Sequence, residues 1–412
     1  MSKCPISNIL DPDVFTDGMP YDSLRELRDR DSLIYMDDPI TGVPYWMVTR
    51  RKELDFIERR PDLFSSQARS ALPMEHDQTI VDGIYANMLI NMDDPRHMKM
   101  RKVVRDAFTP ASVKQYIPFL KKHARLVVDQ VASKGHCEFV KDVASELPLY
   151  AILYLLDVPA QDRQKIFEWT NTMMFADDPD ASEGEEAGQA AAAELLEYAR
   201  ELKHRWTSEP KDTVSGALLR GKIDGQPLTD DEFMWMFLMV ITAGNESTRT
   251  AISHAMRLLI EHPEQLQWLK DNPGEIPNAV DEIVRYNTSF TCMKRTAMKD
   301  IELSGKLIRR GDKVLLHYHT VNHDENVFGE DAMQFDVTRA LRHKGLSRDL
   351  RSFGTGSHFC LGMHLAKLEI QIMLEEILPR MRNPRFAGDI KYMRSYFISG
   401  IREMPISFDP EL

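Results

Sequence analysis

The chain has no uncharged run long enough to cross a bilayer. Its longest, Phe233 to Asn245, is bounded by Glu232 and Glu246 and falls well short of the roughly 20 apolar residues that a membrane-spanning helix needs. The opening stretch, MSKCPISNILDPDVFTDG, has acids and prolines where a secretory leader needs an apolar core. A cytoplasmic protein without a membrane segment is therefore expected. Cysteine is scarce: Cys4, Cys137, Cys292 and Cys360 lie far apart with no Cys-x-x-Cys pair. That pattern argues against a disulfide framework or a zinc ribbon and leaves any cysteine chemistry to single thiols. Excess positive charge is missing too. With 52 Lys+Arg against 64 Asp+Glu, the 412 residues carry a formal net charge of −12, so neither nucleic acid nor an anionic membrane is expected as the main partner. Internal repeats and long Pro/Gly/Ser linkers are absent, and strand-like runs are few.

Helical periodicity dominates what is present. Thr229-x-x-Glu232 reads as a capping box ahead of Phe233, Phe237, Val240 and Ile241, and the pattern runs on to His262 before Pro263. At 1.5 Å per residue such a helix is roughly 45 Å long. Further helices are predicted in ASVKQYIPFLKKHARLVVDQV after Thr109-Pro110, and in AAAAELLEYARELKHRW, PNAVDEIVRY and CLGMHLAKLEIQIMLEEIL. Strands are predicted in YWMVT near Tyr45 and in DIELSGKLIRRGDKVLLHYHTV, where alternating segments flank Gly305 and Gly311. The acidic segment from Asp177 to Glu186 reads as a solvated loop. The expected class is mainly α with a small β part near 33–50 and 295–340, in one domain over 1–412.

In Phe353-Gly354-Thr355-Gly356-Ser357-His358-Phe359-Cys360-Leu361-Gly362, glycines stand where a tight turn needs positive φ, ahead of a cysteine and a helix start. Loop N–H groups and a helix N-terminus favour the thiolate, the metal-ligating form. A cysteine packed as a small hydrophobe needs no such platform. The segment resembles, at every fixed position, the Phe-Gly-x-Gly-x-His-x-Cys-x-Gly signature of bacterial cytochrome P450 enzymes. The resemblance implies the cytochrome P450 fold, with a long central helix over a haem b and the Cys loop beneath it. It further implies Cys360 as axial thiolate ligand of the iron, His358 against a haem propionate, and Phe353 and Gly362 as cofactor-binding positions.

Other segments fit the same family. Glu282 and Arg285, three apart on a predicted helix, would alone be a solvated ion pair of little worth. They also match the family's Glu-x-x-Arg, while Phe335, Asp336 and Arg339 match its Phe-Asp-x-x-Arg, which implies a structural tie. His97 and Arg101 share a helical face. With Arg295 of Arg295-Thr296-Ala297 they match positions that bind haem propionates in the family, where arginine supplies a charge-assisted fork. Thr242-Ala243-Gly244-Asn245-Glu246-Ser247-Thr248 interrupts the apolar run of the long helix. Gly in mid-helix costs about 1 kcal/mol relative to Ala, to be offset by close helix packing or, as the resemblance implies, by a groove for dioxygen at Ala243 and Gly244. Glu246 matches the acid of proton delivery. The alcohol position departs from the family: the first Thr is Ser247 here, followed by Thr248, and Ser lacks the methyl that restricts χ1.

The activity implied is insertion of one oxygen atom from O2 into a C–H bond, the other leaving as water. Electrons would come from a ferredoxin and its reductase, since no flavin or iron–sulfur segment is visible in the chain. Lys99, Lys102, Arg105, Lys344, Arg348 and Arg351 are candidates for the docking patch. Tyr85, Met88, Met174, Phe175, Phe237, Val240, Thr288, Phe290 and Phe397 stand where the family lines its substrate pocket. RTAMKDIELSGKLIRRGDKV, FDVTR and LAKLEIQIMLEEILP look most like terpene-oxidising members, so a terpenoid is the expected substrate. Steroids, alkylaromatics and fatty acyl chains are the alternatives. A monomer is expected. Competing readings are a peroxide-driven peroxygenase, a haem-binding sensor, and zinc held by Cys360, His358 and His364.

Overall fold

The computed structural model describes residues 8–174, 184–206 and 213–411, without the side chains of Met174 and Glu185. Cys4, Phe175 and residues 177–183 of the acidic segment lie outside the described residues. The chain divides into two compact units. Residues 1–86, 253–360 and 388–404 form the first, and residues 87–252, 361–387 and 405–412 the second.

The first unit is organised by a five-stranded sheet. Its strands are β1 (Leu33–Met36), β2 (Tyr45–Val48), β3 (Phe64–Ser65), β4 (Cys292–Ala297) and β5 (Lys313–His317), in the order β1-β2-β5-β4-β3. β5 runs parallel to β2 and antiparallel to β4, placing Val314 opposite Arg295 and Lys313 opposite Thr296. Successive side chains of a strand point to opposite faces. Val314 and Leu316 accordingly join one core with Leu33, Val48, Leu54 and Ile57, while Leu315 joins another with Ile9, Tyr45 and Met47. Because both faces of β5 are covered, all five of its residues are buried. A hairpin of Ile301–Leu303 and Lys306–Ile308 turns at Gly305, φ +74°.

Two expectations are corrected here. The run after β5 is not strand: Tyr318–Val321 is a short helix, capped by His317 Nδ1 accepting from the Thr320 N–H at 3.2 Å. The β-rich part therefore ends at His317, and short helices follow towards residue 340. Near the C-terminus, where only helix was expected, Lys391–Tyr392 pairs with Ile401–Glu403 in the first unit, and Arg382–Phe386 pairs with Pro405–Asp409 in the second. These strands span two to five residues, too few for alternation to stand out.

The second unit is mainly helical. The capping box forms as its residues require: Thr229 N–H donates to Glu232 Oε2 and Glu232 N–H to Thr229 Oγ1, both at 3.1 Å. The helix it starts, Asp230–Glu261, has 32 residues and passes into the first unit at Ser253. The stretch after Thr109 makes two helices rather than one, Pro110–Lys114 and Ile117–Asp129. Pro118 has no N–H to give and suits only a first turn. Ile117–Asp129 packs with Glu146–Leu155 and Met363–Arg380, and Arg163–Met174 packs on Glu185–Trp206. That last helix takes in Glu185 and Glu186, which the acidic pattern assigned to a loop. Among the described residues, no helix is long and apolar enough to cross a membrane.

Candidate haem and oxygen site

In the first unit the cysteine loop closes on itself. Cys360 N–H donates to the Phe353 carbonyl at 2.8 Å, and Gly354 N–H to the Arg351 carbonyl at 2.9 Å. Gly354 and Gly356 have φ of +67° and +70°, the left-handed region that glycine enters without steric cost. A Cβ on Gly356 would stand 2.2 Å from the Glu58 carbonyl oxygen, so only glycine fits there. Cys360 is half-buried, whereas burial pushes the Cys137 and Cys292 thiols up to about 12. Those two stay protonated, which leaves Cys360 as the ligand candidate among the described cysteines. His358 Nε2 lies 3.3 Å from Ser66 Oγ.

Arg295, buried on β4, donates from Nη1 to the Lys294 carbonyl at 2.8 Å and brings Nη2 within 3.5 Å of Glu58 Oε1. Glu58 was not anticipated. It ends the helix Arg51–Glu58 on the same face as buried Leu54 and Ile57, and an acid on the apolar stripe of a helix was the readable signal. Glu282 and Arg285 are fully buried and bonded to each other, with Arg339 also on Glu282 at 3.0 Å. The pair is thus the structural tie that the resemblance implied, and not the solvated pair that spacing alone would suggest. Of the docking candidates, Arg351 is also corrected: it is 4% exposed and forks onto Asp55 at 2.5 and 2.8 Å. Lys99 is paired with Asp224 at 2.7 Å.

In the second unit, buried His97 sets Nδ1 3.3 Å from Asp94 Oδ1, and half-buried Arg101 stands one turn later on the helix Arg96–Arg105. Along the long helix Ala243, Gly244 and Ser247 are partly open, while Asn245, Glu246 and Thr248 are buried. A Cβ on Gly244 would meet Ile152 Cδ1 at 2.7 Å, so this glycine does accommodate close helix packing. Ser247 Oγ donates to the Ala243 carbonyl at 3.0 Å. Glu246 is ion-paired with Arg249 and accepts from Thr250 Oγ1 at 3.3 Å; Arg249 Nη1 also reaches Asn171 Oδ1 at 3.4 Å. Neighbouring helical residues diverge by about 100°, so the acid and the hydroxyl sit on different sides of the helix.

Residues 276–383 match the cytochrome P450 family model. Over 97% of its length the chain is 35% identical to a steroid C26-monooxygenase of Rhodococcus jostii, covering 84% of that protein. The chain belongs to the cytochrome P450 family. Over 90% of its length this P450 is also 33% identical to a methyl-branched lipid omega-hydroxylase of Mycobacterium tuberculosis, covering 85% of it. Among solved structures, a Mycobacterium marinum cytochrome P450 in complex with pseudoionone shares its fold at a TM-score of 0.85, with 30% identity over 94% of each chain. The chain is thus a haem-thiolate monooxygenase. Its residues fit the cofactor: a half-buried cysteine sits on a glycine-shaped loop, and buried Arg295 together with His358 offers donors suited to carboxylates.

The pocket expectations divide. Phe290 and Phe397 face each other at 4.9 Å, and Tyr85 meets His76 edge-on at 4.5 Å. Thr288 is fully buried, and its Oγ1 accepts from Asn322 Nδ2 at 2.7 Å. Phe237 is buried in an aromatic cluster with Phe233, Tyr198 and Trp206. Val240 is buried and Met88 half-buried. The side chain of Met174 lies outside the described residues. Among the described residues no three His, Cys, Asp or Glu side chains gather to hold a metal ion, so the zinc reading has no ligand set.

Proposed function

We propose that this P450 hydroxylates a terminal methyl group on a steroid side chain or a methyl-branched lipid, in place of the terpenoid first expected. The observation that carries this is similarity along nearly the whole chain to relatives named for C26 and omega oxidation. The segments that resembled terpene oxidisers lie in the Ile301–Ile308 hairpin, around Arg339 and in the helix Met363–Arg380. They include Arg295, assigned above to the cofactor, and elements of the common fold, so likeness there speaks for family rather than for substrate.

In this reading Cys360 holds the iron, Phe353 and Gly362 flank the loop, and Arg295, His358, His97 and Arg101 take the propionates. The haem, when bound, supplies activation of O2 for insertion into a C–H bond. The chain positions substrate and manages protons. Glu246 relays a proton only after yielding its Arg249 partner, and Ser247 orients water from the open side beside Ala243 and Gly244, with Thr248 behind it. Residues 1–412 serve as one catalytic domain, working as a cytoplasmic monomer reduced by a ferredoxin. Lys102 and Lys344 carry the docking charge, with exposed Arg105 and Arg348 each beside its neighbouring aspartate, since Lys99 is paired with Asp224 and Arg351 is buried on Asp55.

Two measurements test this. The ferrous–CO spectrum of the purified holoenzyme should show the red-shifted Soret band of a thiolate ligand. An optical titration with steroids, methyl-branched fatty acids and monoterpenes should give the low-spin to high-spin shift with the first two classes; a shift with monoterpenes alone would reinstate the earlier reading. Ser247→Ala is expected to raise hydrogen peroxide formed per product several-fold. An unchanged ratio would move the hydroxyl's role to Thr248.

A further inference from the structure

Glu58 is a buried carboxylate that the reading above leaves without a task. Three donors converge on it: Tyr318 Oη on Oε1 at 2.6 Å, Thr355 N–H on Oε2 at 2.8 Å, and the Arg295 guanidinium at 3.5 Å. A side chain surrounded by donors is satisfied as the acceptor-only, ionised form. On balance burial raises its pKa, with Arg295, Tyr318 and Thr355 opposing that shift, so it is the geometry of the converging donors that favours the ionised form. Its backbone is engaged as well, since the Glu58 carbonyl oxygen occupies the space that a Cβ on Gly356 would need. One residue therefore contacts the cysteine loop at Thr355 by hydrogen bond and at Gly356 by shape, and holds the arginine assigned to a propionate. Removing Glu58 would leave Arg295 with only the Lys294 carbonyl among its described partners, and Tyr318, itself buried, without an acceptor for its hydroxyl.

We propose that Glu58 is a positioning residue that clamps the loop carrying Cys360 and, as a fixed negative charge on Arg295, lowers the reduction potential of the bound haem. The proposal rests on the assignment of Cys360 and Arg295 above. A buried anion beside the cofactor favours the more positive ferric state, so its loss makes reduction easier. Loosening of the loop should favour loss of the thiolate and of the haem.

The test compares wild-type holoenzyme with Glu58→Gln and Tyr318→Phe. Three properties are read: the ferric/ferrous midpoint potential by spectroelectrochemistry, the ferrous–CO Soret position, and haem transfer to apomyoglobin. Glu58→Gln is expected to shift the potential positive, to move part of the CO band to the blue position of a haem without its thiolate, and to speed haem loss about tenfold. Tyr318→Phe keeps the charge, so it should leave the potential close to wild type while still raising the blue-shifted fraction. A potential and CO band unchanged in Glu58→Gln overturn the proposal. If Glu58→Gln yields no holoenzyme, Tyr318→Phe decides: wild-type haem loss and CO band would overturn the clamp. A wild-type protein lacking the red-shifted CO band would instead sink the underlying thiolate assignment.

Discussion

Glu282→Gln is expected to lose about 3–5 kcal/mol of folding stability, because it leaves buried guanidinium charge uncompensated. Glu282, Arg285 and Arg339 are all fully buried. Glu282 accepts from Arg285 at 2.7 and 2.8 Å, from Arg339 at 3.0 and 3.2 Å, and from the Asp336 N–H at 3.0 Å. Arg339 keeps a second carboxylate in Asp331, at 3.1 Å. Among the described residues Arg285 has no second carboxylate as a hydrogen-bond partner; its other bonds run to the carbonyls of Asn322 and Ala332 at 2.8 Å and Gln334 at 3.0 Å. The damage should travel towards the cysteine loop. The Asn322 amide donates to Thr288 and Ser352 and accepts from the Arg351 N–H at 2.6 Å, directly ahead of Phe353. Urea denaturation of the holoenzyme measures the loss, and the ferrous–CO spectrum reads the loop through its blue-shifted fraction. As a contrast, Arg342→Ala removes a half-exposed cation paired with Asp331 and Asp336 and should cost no more than about 1 kcal/mol. A Glu282→Gln loss no larger than that would show the network to be dispensable.

That network marks how far the sequence could be read. Spacing alone set Glu282 and Arg285 on one helical face, but an i,i+3 pair looks the same in water and in a core. Burial came from residues around 322–339, distant in sequence. Long periodic features were legible for the opposite reason: the Thr229 box and the apolar repeat after it are local, and the helix Asp230–Glu261 followed. Proline breaks were legible in principle, and Pro118 divides a stretch whose apolar period is continuous. Short pairings such as Arg382–Phe386 with Pro405–Asp409 depend on a partner some twenty residues away, so local alternation gives them no signature. At the site, glycine positions and the cysteine were plain in the loop. What Gly356 avoids was not, because the obstacle is the backbone of Glu58. Likewise Thr288 stands where pocket residues are expected, yet its hydroxyl belongs to Asn322.

Acid should weaken this protein well before its exposed carboxylates titrate. His254, His317, His319 and His323 are all buried and their pKa values are lowered, His317 to about 3, with burial the leading cause in each. Their partners confirm the neutral form: Arg257 donates to His254 Nδ1 at 3.0 Å, and Thr320 Oγ1 lies 2.7 Å from His317 Nδ1. Around His319 and His323 stand Arg285, Arg28, Arg339 and the phenol of Tyr21, none of which welcomes another proton. The unfolded chain binds these protons near pH 6.5, so the unfolded state holds more protons below that value and stability falls as pH drops. Between pH 6.5 and 5.5 each histidine withdraws about 1 kcal/mol. Glu369 and Glu58, whose pKa values burial raises, work the other way and return part of that loss. The balance is a net loss of at most about 4 kcal/mol over that unit, against a typical total of about 5–15 kcal/mol. Urea midpoints at pH 7.5, 6.5 and 5.5 measure it. His319→Phe should flatten the dependence by one proton while costing little at pH 7.5, because neither His319 ring nitrogen has a hydrogen-bond partner to lose among the described residues. A wild-type midpoint that holds constant to pH 5.5 would mean that these imidazoles already carry protons in the folded state.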